Sequence, residues 1–362
     1  MAETANASMA LDLADPEELS LLARGVPFPA GILHRWFPAA TRRDHRYRFF
    51  KRDRSLRRAV PVRPWDSPAV PLDRGDVEEI TGRMLPLSGI IWLLEEEAQL
   101  LDAAREAGDL DAVTDVFDED TISGAKRILQ RIMLMQGEVV STGKVTIGTQ
   151  AAPENRLQLP QVDFGLPADH FFTTNTLFDA GSPDILGQFQ DFKRTYVTTT
   201  GNEVSPGVAI MSSRVFEVMA EDSALRTLLG TILGTPPSIG EDEVNALLAK
   251  RKLPRIIVDD TAVPDHTGVM RRQIPDNRIV FLPEDPTVTG GTAVGATQWG
   301  LTEEAKKLQR AEAIDPGNAP GILAVPMESE NPVRTGVLVT GIGMPVVTQP
   351  DLIMSVKVLA DA

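Results

Sequence analysis

The clearest periodic run in the chain lies between residues 119 and 136. Ile122, Ala125, Ile128, Leu129, Ile132, Met133 and Gln136 follow helical spacing, while Lys126, Arg127 and Arg131 fall largely on the other side. This predicts a long amphipathic helix. Asp118 is placed to cap it, Glu119 and Asp120 suit its positive end, and Gly137 is its expected stop. Residues 138–149 then read as a hairpin turning at Thr142-Gly143. Upstream, Pro16–Arg24 reads as a short helix capped by Asp15, with Pro16 in the first turn. Tyr47–Phe50 reads as a strand, and residues 93–117 as an acidic helical region broken near Gly108.

The texture changes after residue 150. Residues 150–170 are loop-like, and 182–199 read as helix, then strand. Val208–Met211 is a short strand feeding a helix at Ser213–Ala220, capped by Ser212 or Ser213. Glu241–Lys250 is a helix with acids at its start and bases at its end; Pro254 stops it, and Arg255–Asp259 is a strand. This alternation predicts a small α/β unit near 170–315. Ile322–Val325, Val337–Thr340 and Ile353–Leu359 are apolar and β-branched. Pro345 and Pro350 are expected between the last two, where no ladder N–H is needed. These closing strands are expected to return to the earlier sheet, so that one domain is inserted in another. A strand this close to the terminus must pair within its own domain or on a neighbour.

Prolines at 61, 64, 68 and 71 forbid a helix or a central strand between Val60 and Leu72 and favour an extended excursion. Asp73–Asp76 reads as its turn, and Val77–Ile91 returns, interrupted by Gly82, Pro86 and Gly89. A long loop of this kind in a compact protein usually binds something. A projecting two-stranded arm is therefore expected, with Trp65 touching an adjacent subunit.

Composition narrows the function. At 362 residues the chain can bury a full core, and no apolar run approaches a membrane span. The start lacks the pattern of a signal peptide, so synthesis in the cytoplasm is expected. Without cysteine there are no disulfides, thiolate nucleophiles or Cys-based metal sites. A net charge of −15 disfavours general nucleic-acid binding. The charge is nevertheless segregated. Eleven Arg and Lys residues crowd 35–63, among them Arg52, Arg54, Arg57 and Arg58. An acidic run from Glu95, Glu96 and Glu97 to Asp120 follows. Two blocks of opposite sign in one chain can pair within a subunit or between copies.

Catalytic patterns are missing. There is no G-x-S-x-G elbow, and His34, His45, His170 and His266 share no metal-ligand spacing. Gly290–Gly295 is not followed by Gly-Lys-Ser/Thr and reads as a flexible loop. Asp259 and Asp260, ending a strand, could ligate Mg²⁺, but a solvated strand end is the stronger explanation of them. No catalytic residue, metal site or cofactor is expected.

Several stretches resemble the lambda-type capsid E family of tailed-phage major capsid proteins. They are Leu253–Asp260 followed by Asp265–Gly268, Ile274–Pro283, Gly295–Ala305, and the Pro350-Asp351-strand ending, in matching order and spacing. The resemblance implies an α+β tailed-phage major capsid fold. It would comprise an N-terminal arm (1–44), an extended E-loop (45–92), a peripheral domain (93–165 and 316–362) with spine helix 119–136, and an inserted axial α/β domain (166–315). It implies a shell protein assembling as hexamers and pentamers into an icosahedral head around double-stranded DNA. Implied partners are further copies of the chain, scaffold, portal and decoration proteins, and non-specifically held DNA on the inner face, with no membrane. The implied location is the virion, after assembly in the host cytoplasm. The arginine block and the acidic run match nothing in the family. Three readings stay open: a cellular shell compartment of the same fold, a basic-arm nucleic-acid-binding protein, and a metal-dependent enzyme using Asp259 and Asp260.

Overall fold

The computed structural model describes residues 15–29, 31–52, 62–65, 68, 77–97, 99, 103, 110–146, 161–181, 183–201, 204–233, 239–284, 287–288, 292–311, 320–330 and 333–361. Helix α1 (Pro16–Gly25) starts where Asp15 accepts a hydrogen bond from the Glu17 N–H. Its buried face holds Leu19, Ser20 and Ala23. Strands β1 (Ala39–Thr41), β2 (Arg46–Arg52), β3 (Val77–Arg83) and β4 (Pro86–Trp92) follow. Strands β2 and β3 form an antiparallel ribbon, with Arg46 opposite Arg83 and Arg52 opposite Val77, while the expected turn at Asp73–Asp76 and most of the excursion from Val60 to Leu72 lie outside the described residues.

Helix α2 runs over Leu110–Thr142, about 50 Å at 1.5 Å per residue. It is longer at both ends than its periodicity predicts. Asp118 lies inside the helix rather than capping it, and Gly137 does not end it. A Cβ at Gly137 would collide with the Gln273 carbonyl oxygen. The glycine therefore admits a neighbouring backbone, and the stop comes at Gly143, whose φ is +74°. The expected 138–149 hairpin is thus absent, because residues 138–142 are helical. Val139 and Val140 are fully buried, and tertiary packing overrides their strand preference. Strand β5 (Lys144–Val145) pairs instead with β6 (Val162–Asp163).

Next come β7 (Phe171–Thr173), α3 (Ile185–Thr199), β8 (Val208–Met211), α4 (Ser213–Glu221), α5 (Ser223–Leu233) and α6 (Glu241–Lys250). Ser212 caps α4, accepting from the Val215 N–H. Residues 196–199 stay helical rather than forming a strand. Tyr196 is fully buried, and its hydroxyl donates to the Leu352 carbonyl at 2.9 Å. The remaining elements are β9 (Arg255–Val258), β10 (Ala262–Pro264), β11 (Met270–Arg272), β12 (Arg278–Leu282), β13 (Thr287–Val288), β14 (Thr292–Ala293), β15 (Gly295–Gly300), α7 (Glu303–Arg310), β16 (Ile322–Glu330), β17 (Val333–Val347) and β18 (Met354–Lys357).

Two five-stranded sheets organise these elements. In the first, β17 pairs with β4 on one side, and on the other with β16 and then β15, beyond which lies β1. Pro345 lies inside β17, opposite Thr297, and not in a break. The Thr297 N–H points away from β17 and donates to the Pro38 carbonyl. That pair therefore exchanges no ladder hydrogen bond, and a proline nitrogen is tolerated there.

The second sheet has the order β7-β18-β12-β8-β9. The closing strands consequently do not share one sheet: a turn at Pro350–Leu352 carries the chain from the first into the second. The apolar pattern switches at the same point. Leu352 and Ile353 pack in one core, and Met354, Val356 and Val358 in the other. The second sheet separates the two cores. Val208, Ile210, Val280 and Leu282 face the α2 side, while Ala209, Met211, Ile279 and Phe281 face α3–α6. A sheet covered on both faces explains why β8 is apolar at every position and β12 at all but Arg278.

Candidate assembly surface

The ribbon of β2 and β3 is anchored at its base. Tyr47 is buried, its ring 6.3 Å from that of Phe164, and Gly82 opposite it leaves room for the phenol. Arg48 pairs with Glu79 across the ribbon at 2.7 Å. Beyond it, Val62 and Trp65 have relative exposures of 101% and 98%. A tryptophan can bury about 150–250 Å², and in the single chain this one buries none. Arg52 ends β2 opposite Val77. Arg54, Arg57 and Arg58 lie outside the described residues.

Glu95, Glu96 and Glu97 form an exposed helical turn just after β4. The Glu97 carboxylate accepts from the Leu94 N–H at 2.9 Å, and Leu94 itself is 64% exposed. Part of the acidic run meets α2 at Asp120. Burial first, and then the charges of Glu97 and Glu119, hold the Asp120 carboxyl above its ordinary range. Structure thus brings Glu97 close to Asp120, and gives Arg48 an acidic partner within its own ribbon.

The residues weighed for catalysis serve the fold. Asp259 accepts from the Thr261 N–H and hydroxyl. Asp260 accepts from the Ser213 N–H at 2.9 Å and from Arg272, and the Ser213 bond leads in holding its carboxyl below the ordinary range. Among the described residues, no group of three or more His, Asp or Glu side chains could hold a metal ion. The histidines are scattered: His34 beside Gly31, His45 beside Asp44, His170 in the core, and His266 at a groove. Among the described residues, no helix is long and apolar enough to cross a membrane.

Two concavities escaped sequence reasoning. One is a groove of about 590 Å³ between α2, β4 and the β10–β11 hairpin, lined by Leu87, Ile91, Ile128, Arg131, Leu134 and Pro264. The other, of about 520 Å³, lies where α1 and β1 meet β15 and β16. Each draws its lining from segments far apart in sequence, so no local pattern marks it.

A sequence model of the phage major capsid protein E family matches residues 25–358. No curated protein sequence matches the chain. Among solved structures, it is similar to a capsid protein of an Escherichia coli CFT073 prophage, with 14% identity and a TM-score of 0.59 over 95% of this chain and 98% of that one. It is also similar to a phage-related protein of Bordetella bronchiseptica RB50, with 13% identity and a TM-score of 0.52 over 94% and 96%. The mixed sheet-and-helix architecture is that of tailed-phage major capsid proteins, and with the family match spanning nearly its whole length, the chain belongs to the phage major capsid protein E family.

Proposed function

We propose that the chain assembles as hexamers and pentamers that close into an icosahedral head enclosing double-stranded phage DNA. The family makes it a structural protein of the head shell and places it in the virion. The match across residues 25–358 carries this reading. The mechanism is repeated head-to-tail contact, which closes when the rotation between copies is compatible. In this reading Arg52, Arg54, Arg57, Arg58 and Trp65, together with Glu95, Glu96 and Glu97 after β4, are subunit contacts. The full exposure of Trp65 supports this.

We assign residues 1–44 to the arm, 45–92 to the E-loop, 93–165 and 316–362 to the peripheral domain, and 166–315 to the axial domain. Sheet pairing favours two exchanges: Gly295–Gly300 joins the peripheral sheet, and Met354–Lys357 the axial one. Scaffold, portal and decoration proteins, DNA on the inner face, and assembly in the host cytoplasm complete the reading.

Negative-stain microscopy of the purified chain, alone and co-expressed with scaffold, tests it. Rings, tubes or shells are expected. A strictly monomeric protein at high concentration with scaffold present would overturn it.

A further inference from the structure

The cavity beside α1 is built around a buried guanidinium with one N–H left over. Arg24 reaches into it from the last turn of α1. Its Nε donates to the Ile322 carbonyl at 3.0 Å, while its Nη2 is buried and, among the described residues, meets no acceptor. Burial weakens the hold of the guanidinium on its proton, as expected for a charge withdrawn from water, and the Glu17 carboxylate offsets this only in part. His34 and Arg35 add positive or protonatable groups, and Val26, Phe28 and Trp299 supply apolar walls. The volume of about 520 Å³ suits a compact side-chain cluster. A buried guanidinium N–H left unpaired is costly, and a carboxylate is the acceptor that best satisfies it. The cavity therefore calls for an apolar body carrying carboxylates.

The chain exposes such a group itself. Leu94 is 64% exposed and is followed by the exposed Glu95, Glu96 and Glu97. Acidic groups gather at this corner: burial first, and then Glu97 and Glu119, push the Asp120 carboxyl upward, with Arg127 opposing them. The two features lie on opposite sides of β17. Leu93 is bonded to the Thr335 carbonyl on the β4 side, whereas the cavity opens at Ile322, paired with Gly341 on the β16 side. Six residues of strand separate Thr335 from Gly341, about 20 Å at 3.3 Å per residue. One copy cannot bring its own corner into its own cavity, but two copies placed head to tail can.

We infer that the Leu94–Glu97 corner of one copy docks into the Arg24–His34–Arg35 cavity of the next, with Leu94 against the apolar walls and a carboxylate on the Arg24 guanidinium. This inference rests on the self-assembly reading and names one of its contacts.

The absence of cysteine makes the test clean. Ala39 is exposed at the cavity rim and Leu94 is exposed at the corner. A chain carrying Ala39→Cys and Leu94→Cys, assembled and treated with a short bismaleimide, is expected to give a ladder of dimers, trimers and larger species on a denaturing gel. Either single variant should give none. Arg35→Glu should impair assembly, and Glu95→Lys with Glu96→Lys in the same chain should restore part of it. Arg24→Met, which keeps the length of the side chain, should impair assembly while leaving thermal unfolding of the subunit little changed. Shells that form normally without the ladder, or an Arg35→Glu defect that the lysine pair leaves unrescued, would overturn this contact and leave the shell reading intact. A chain that forms no oligomer under any condition would overturn both.

Discussion

At the scale of single residues, two positions carry physical consequences that their identities alone do not announce. Gly137 sits in mid-helix, where glycine normally weakens a helix relative to alanine, yet it is the only residue that lets the Gln273 carbonyl approach. Gly137→Ala should therefore destabilise the subunit by about 1–3 kcal/mol, despite the better helix propensity of alanine. Chemical denaturation of the unassembled subunit measures this, and a stabilised variant would contradict it. His170 is fully buried and stacked on Tyr196, with its Nδ1–H donating to the Ile353 carbonyl at 3.1 Å. Its Nε2 is also buried, and among the described residues has no partner. Burial lowers its pKa to about 4, against about 6.5 in an unfolded chain. The folded protein keeps the ring neutral while the unfolded chain takes up a proton. The stabilisation is thus complete above pH 6.5 and is lost as pH falls toward 4, by roughly 3 kcal/mol. His170→Phe keeps a stacked ring without the titration and should flatten the pH dependence of unfolding between 6.5 and 4. An unchanged slope would refute the assignment.

At the scale of elements, the ribbon is the part the compact body does not need. Its base is held by Tyr47 in the core, and among the described residues its ladder runs as far as Arg52 and Val77. Deleting residues 62–76 removes Trp65 and most of the proline-rich excursion but, among the described residues, no member of either core. The shortened chain should fold with near-native thermal stability and fail to build shells. Normal shells in electron micrographs of the variant would show that the excursion does not join subunits. The groove between α2, β4 and the β10–β11 hairpin carries Arg131, whose proton is held less firmly mainly because of burial. The long helix thus supplies a core face and, on its flank, a partly buried cation.

For the whole molecule, the question is how copies carrying −15 each associate at all. Like net charges repel, and segregation of the charge within each copy offsets this, because local blocks of opposite sign can face one another while screening over about 8 Å weakens the rest. Exposed pairs contribute only about 0–1 kcal/mol each, but a ring repeats them at every boundary. Reversing Arg52, Arg54, Arg57 and Arg58 to Glu should block assembly in the absence of DNA, as read by light scattering and sedimentation. Shells that form normally from this variant but lose their DNA would place the arginine block against the genome instead.

Local pattern determined much of this protein. The capped helix at 16–25, the strand–helix alternation from Val208 to Val258, the ribbon around Tyr47, and the ordered motifs from Leu253 to the end follow from neighbours in sequence: a capping Asp15 or Ser212, a proline stop, a run of β-branched residues. What tertiary structure alone decided involves partners far away. Gly137 reads as a helix stop until the backbone at Gln273 is beside it. Val139, Val140 and the segment 196–199 prefer strands by composition, and burial makes them helical. Pro345 looks like a break until the register with Thr297 shows that no hydrogen bond is asked of it. The last strand changes sheets because alternate residues on either side of Ile353 fit different cores. The cavity around Arg24 is assembled from α1, the segment 33–41, β15 and the start of β16, and no single stretch carries its signal. Short-range rules act through spacing along the chain, whereas close approach, register and shared cavities depend on which distant surfaces meet, and only the folded chain sets that.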